Sequence, residues 1–163
     1  MKNEGVTILQ IVITVVIMLI ILAVSIFLGP NVAREAKIAA IYNEIKVIEE
    51  VLKELYVLND ISVDGDSVVF NDETKAPKVN SSNYSNELGA DATGDYYYMD
   101  FTSSRNLENA LGLERVENDY ILDLKNLNVY LIGGVDTVDA NGKVVMKYNS
   151  DEIAHYYDET FVK

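Results

Sequence analysis

VTILQIVITVVIMLIILAVSIFL, residues 6–28, is a run of 23 residues without a single charge. As a helix rising about 1.5 Å per residue it measures roughly 35 Å, enough for a bilayer core of about 30 Å. MKNEG precedes it and Gly29-Pro30 follows. A cleaved secretory signal would need a basic n-region and a shorter apolar stretch. Here Lys2 is offset by Glu4 and the run is too long, so a retained membrane helix is expected.

Beyond the run, Pro30 lacks an amide hydrogen and crowds the preceding turn, so Gly29-Pro30 is expected to kink the helix. The pattern resumes at once in NVAREAKIAAIYNEIKVIEEVLKELYVLND. Ile38, Ile41, Ile45, Ile48, Leu52 and Leu55 recur at spacings of three and four, one apolar stripe. Glu49 and Lys53 form an i,i+4 pair on paper. The expected product is one long helix over residues 6–58, apolar all round at first and amphipathic from residue 31. A stripe of that kind packs on one side only, against a coiled-coil partner or a sheet of its own domain.

The remaining sequence supplies strands. Residues 61–63 and 68–70 flank Asp64-Gly65-Asp66, a hairpin signal. Residues 71–95 are rich in Asn, Asp, Ser and Gly and are expected as a long variable surface loop. Its two Asn-x-Ser sequons are read as loop composition. YYYMDF (96–101) has strand character, and Ser104 is placed to cap a short helix over 105–111 that Gly112 ends. Two strands follow, 120–124 and 128–132, with Gly133-Gly134 expected to break the second. Residues 135–138 and 143–148 make another hairpin about Asn141-Gly142, and 150 onward is a short helical or irregular tail. An antiparallel meander on one amphipathic helix is an α+β fold. The expected divisions are a leader at 1–5, a membrane and assembly helix at 6–30, its amphipathic continuation at 31–59 and a β head at 60–163.

The charge narrows the partners. The chain has 26 Asp and Glu against 13 Lys and Arg and a net charge of −13, and only Lys2 and Glu4 precede the apolar run. An acidic domain without a basic cluster argues against nucleic acid. With no Cys, neither a disulfide framework nor a thiolate metal site is available.

On the membrane helix, Thr7, Gln10 and Thr14 lie three and four residues apart, and Ser25 follows Thr14 by eleven, about three turns. All four share a face. Polar side chains in lipid hold helices together at about 0.5–2 kcal/mol each, so this is the expected assembly face; Thr and Ser also bond their own backbone. Asp136, Asp139 and Asn141 carry the oxygen ligands calcium takes, as do Asp64, Asp66, Asp91 and Asp95. These residue types equally build turns, no EF-hand spacing is present, and no cofactor is expected. His155, the only histidine, sits four residues after Asp151; with no nucleophile or shaped site beside it, no enzyme is expected. The eleven tyrosines, including Tyr96, Tyr97 and Tyr98, are read as sheet packing.

Taken together these residues resemble a type IV pilin or pseudopilin of the Gram-positive type. In that family a short leader ends in Gly, as Gly5 does here, and Val6 becomes the first mature residue. Thr7 matches the hydroxyl at the second mature position, and Pro30 lies near the helix-kinking proline. LENALGLERVENDYILDLKNLNVYLIGGV is similar to pseudopilin heads. Val6 stands where Phe is usual, and Gln10 stands where the family has a Glu that neutralises a neighbour's N-terminal amine. The resemblance therefore implies a minor subunit of a pilus or of a secretion or competence pseudopilus. It implies as partners other pilin subunits, prepilin peptidase, the inner-membrane assembly platform and membrane lipid, with the head outside the cell. Some members bind calcium in the head. The alternative is an unprocessed, membrane-anchored binding domain that uses the 71–95 loop.

Overall fold

The computed structural model describes the backbone of residues 4–71, 74–103, 105–139 and 141–161, and the side chains of 13–20, 31–71, 74–103, 105–139 and 141–158. Helix α1 covers Glu4–Leu58. The chain divides into two compact units, Met1–Lys37 and Ile38–Lys163. The boundary falls within the helix, a few residues beyond the expected division at residue 30.

In the second unit the apolar stripe of α1 forms half of the core. Ile38, Ile45, Ile48 and Leu52 are fully buried, and Ile41 and Leu55 nearly so. Each contributes about 1.5–3 kcal/mol of burial. The helix ends where Asn59 takes φ +61° and the Asp60 amide donates to the Leu55 carbonyl, a left-handed stop that Asn tolerates well.

The other half of the core is an antiparallel sheet. Among the described residues its strands are β1 (Ser62–Asp64), β2 (Ser67–Val69), β3 (Lys75–Val79), β4 (Tyr96–Met99), β5 (Tyr120–Asp123), β6 (Asn128–Val138) and β7 (Val144–Asn149), in that spatial order. Period-two alternation puts Tyr97, Leu122 and Val129 in one row and Met99, Tyr120 and Leu131 in the next, all facing α1. The fold is α+β, with the amphipathic part of α1 packed on an antiparallel sheet, as expected.

Three expectations need correction. Residues 71–95 are not a loop. They hold β3, which pairs with both β2 and β4, then a 3₁₀ turn (Ser81–Tyr84) and helix α2 (Ser85–Leu88). Only Ala76 of β3 is buried, and Pro77 interrupts the strand pattern, so nothing apolar marks it in sequence. α2 lies against β6, and the Glu87 carboxylate accepts from the Gly133 amide at 3.2 Å. Ile121 and Tyr96, on the sheet face away from α1, are buried too.

Gly133-Gly134 does not end a strand. β6 continues to Val138 through a shift of register between Tyr130 and Val135, with both glycines at positive φ. A Cβ on Gly134 would stand 2.6 Å from the Tyr148 ring.

The third correction concerns Glu49. It is turned inward beside Ile48 and pairs with Lys46 at 3.1 Å instead of Lys53.

The remaining helices are α3 (Asn106–Leu111), stopped by Gly112 at φ +65° as expected, and α4 (Ser150–Phe161). Ser104, the expected cap of α3, lies outside the described residues. α4 buries Ile153 and Tyr156 in the core, and Tyr157 meets the Tyr42 ring edge-on at 6.3 Å.

Candidate assembly surface and head sites

In the first unit the side chains of residues 13–20 are described, and all are exposed. They include seven large apolar residues, Ile13, Val15, Val16, Ile17, Met18, Leu19 and Ile20. Thr14, of the expected assembly face, is exposed among them. Gly5, Val6, Thr7, Gln10 and Ser25 belong to α1, but their side chains lie outside the described residues, as do those of Gly29 and Pro30. Among the described residues no helix is long and apolar enough to cross a membrane. Those eight positions are the only ones of the 23-residue run whose side chains are described.

At its C-terminal end this unit changes character. Asn31, Val32, Ala33, Ala36 and Lys37 are exposed. The Arg34 guanidinium donates to Asn31 Oδ1 at 3.4 Å and lies 4.0 Å from Glu35. Lys37 makes no ion pair among the described residues.

In the head, four carboxylates act as fasteners, and none was singled out by sequence reasoning for this role. Glu44 of α1 accepts from the Tyr120 hydroxyl at 2.7 Å and from Asn118 Nδ2 at 3.3 Å, tying helix to β5. Burial, and then the adjacent Glu44 carboxylate, push the Tyr120 hydroxyl far above its ordinary range. Glu49, 3 % exposed, receives Ser150 Oγ at the start of α4. Glu108 of α3 accepts the Val116 amide at 2.7 Å.

Asp119 collects four donors. They are the Phe101 and Thr102 amides, the Thr102 hydroxyl and the Tyr98 hydroxyl, all at 2.8–2.9 Å. Partial burial pushes its carboxyl up, but these hydrogen bonds together outweigh burial and hold it below the usual carboxylate range. With two donors on each oxygen, Asp119 is saturated and fastens residues 98–102 to the start of β5. A sequence signal existed for one of these fasteners: Glu49 breaks an otherwise apolar face, between Ile48 and Leu52.

The calcium candidates come out as follows. Asp139 Oδ1 accepts the Asn141 and Lys143 amides, each at 2.9 Å, which closes the β6–β7 turn and, with the Lys143 amide foremost, lowers the Asp139 pKa. Asp136 and Asn141 are exposed. Among the described residues no group of three or more His, Cys, Asp or Glu is placed to hold a metal. His155 is exposed on α4.

Two clefts in the head have a partly apolar lining. One, of about 630 Å³, lies beside Tyr56, Ile61, Val63 and Leu124. The other, of about 420 Å³, runs between α1 at Asn43, Glu44, Val47 and Ile48 and the loop 112–116 that follows α3. Val47, one of its lining residues, is half exposed. Comparison with protein-family models, with curated proteins and with solved structures finds no match.

Proposed function

We propose that the chain is a structural subunit, of minor type, of a type IV pilus or related pseudopilus. In this reading a membrane-bound prepilin peptidase cuts after Gly5, the helix beginning at Val6 rests in membrane lipid, and the assembly platform then draws it into a filament beside other pilin subunits. The head, outside the cell, is the displayed part.

The observation that carries the proposal is the exposure of the apolar side chains at 13–20. Seven large apolar residues within eight positions, left uncovered by their own chain, are stable only against lipid or other helices. The leader ending in Gly5, the hydroxyl of Thr7 and an amphipathic continuation packed on an antiparallel sheet support the same reading. Gln10 favours a minor subunit, since an amide cannot neutralise a neighbour's amine as a carboxylate does.

The test is the N-terminus of the mature protein in cells that contain the peptidase. Val6 as first residue is the expected result. An intact Met1 would overturn the proposal in favour of a permanently anchored binding domain.

A further inference from the structure

We infer that the groove between α1 and the loop after α3 is the seat for residues 32–37 of a second copy of this chain. The contact rests on the filament reading above and specifies it at the level of two surfaces.

Charge is the first reason. Residues 38–163 hold ten Lys and Arg against 24 Asp and Glu, a net −14, whereas residues 1–37 hold three against two, a net +1. Identical heads of charge −14 repel each other, and a cation on one of two facing surfaces offsets part of that repulsion. Within residues 31–37 Arg34 is already engaged by Asn31 and Glu35. Lys37 is the exposed cation without an ion pair among the described residues.

The groove offers the matching anion. Its rim carries Glu114, exposed and likewise in no ion pair among the described residues, and its one cation, Arg115, points to Glu117 at 3.5 Å. Glu44 adds a second carboxylate inside, with both of its hydrogen bonds on Oε1.

Shape is the second reason. Val32, Ala33, Ala36 and Lys37 are spaced to share a helix face, and all four are exposed. Two alanines let a helix approach closely, while Val32, 65 % exposed, supplies an apolar side chain to lay on Val47 and Leu113. The two surfaces lie eleven residues apart in the sequence, so the copies meet out of register. Each copy presents both surfaces, so the contact is heterologous, and two copies that stand next to each other in a filament can meet through it.

The absence of native Cys makes the test clean. Full-length chains bearing Val32→Cys and Val47→Cys singly are co-expressed in assembling cells and oxidised. A mixed dimer is expected. Both positions are exposed, so neither substitution threatens folding. Lys37→Glu should lower the cross-link about two- to fivefold, the range of an exposed ion pair, and Glu114→Lys should restore it. Val32→Cys with Val144→Cys, on β7, should give no product.

Equal cross-linking at Val144, no mixed dimer in filaments that do form, or capture of a different protein by Val47→Cys would each overturn this contact and leave the filament reading standing. An intact Met1 with no filament overturns the filament reading itself, and is read separately, from the unsubstituted chain.

Discussion

Ser150 and Glu49, 101 residues apart in sequence, are joined by a hydroxyl that donates to both carboxylate oxygens, at 2.9 and 3.2 Å, with both residues 3 % exposed. The bond fixes the start of α4 to the C-terminal third of α1. Removing one partner of a buried hydrogen bond leaves the other unsatisfied, at about 1–3 kcal/mol. Ser150→Ala is therefore expected to lower stability by that amount, read as a shift in the urea midpoint of the full chain in detergent. A midpoint unchanged within error would mean that water satisfies Glu49 and that α4 is anchored by Ile153 and Tyr156 alone.

Asp119 gives a pH dependence with a definite sign. Its carboxyl is depressed in the folded state, so its contribution is fully present above the unfolded value of about 3.9 and is lost as pH falls from there through the lower folded value. Asp119→Asn should flatten that acid limb of the stability profile while destabilising the protein at neutral pH. Retention of the same acid limb in the variant would assign it to other carboxylates.

Two glycines at left-handed φ should respond differently to alanine. Gly112 has open space around its missing Cβ, so Gly112→Ala meets only backbone strain of about 1–2 kcal/mol. At Gly134 the new methyl adds a collision with the Tyr148 ring, worth about 1–3 kcal/mol more. The extra cost of Gly134→Ala should shrink in a Tyr148→Ala background, measured as a double-mutant cycle. Additive effects would show that the ring moves aside freely.

On the proposed assembly helix, Gln10→Leu should weaken incorporation into filaments, because polar side chains join helices in lipid at about 0.5–2 kcal/mol each. The readout is the fraction of the chain in sheared filaments against that left in the membrane. Normal incorporation would remove Gln10 from the assembly face.

The features that sequence shows well are those with a strong period. Ile38 through Leu55 announces a one-sided helix, and its side chains meet the sheet as their spacing requires. β5 and the first part of β6 stand out because both faces alternate into buried surroundings. β3 was hidden by its own composition, since a strand whose inward side chain is Ala76 differs little from a polar loop. Gly133-Gly134 misled in the opposite way, for a register shift uses the positive φ that a terminating turn would use. The carboxylate fasteners depend on contacts across 74 or more residues in the cases of Glu44 and Glu49, and no local pattern encodes a partner at that range. The groove was missed likewise, because its two walls, residues 43–48 of α1 and 112–116, come together only in the fold.

The order of the strands has a consequence for biogenesis. Because β1 to β7 neighbour one another in the sequence of their synthesis, each new strand finds its template already present as the chain emerges. No strand waits for a later one, so loop closure stays short and ordering stays fast. The longest reach back is that of α4, to Glu49 and Tyr42. The head is thus built by accretion and sealed by its last helix, and a chain cut before Ser150 would be left with its newest edge open and its core unlatched.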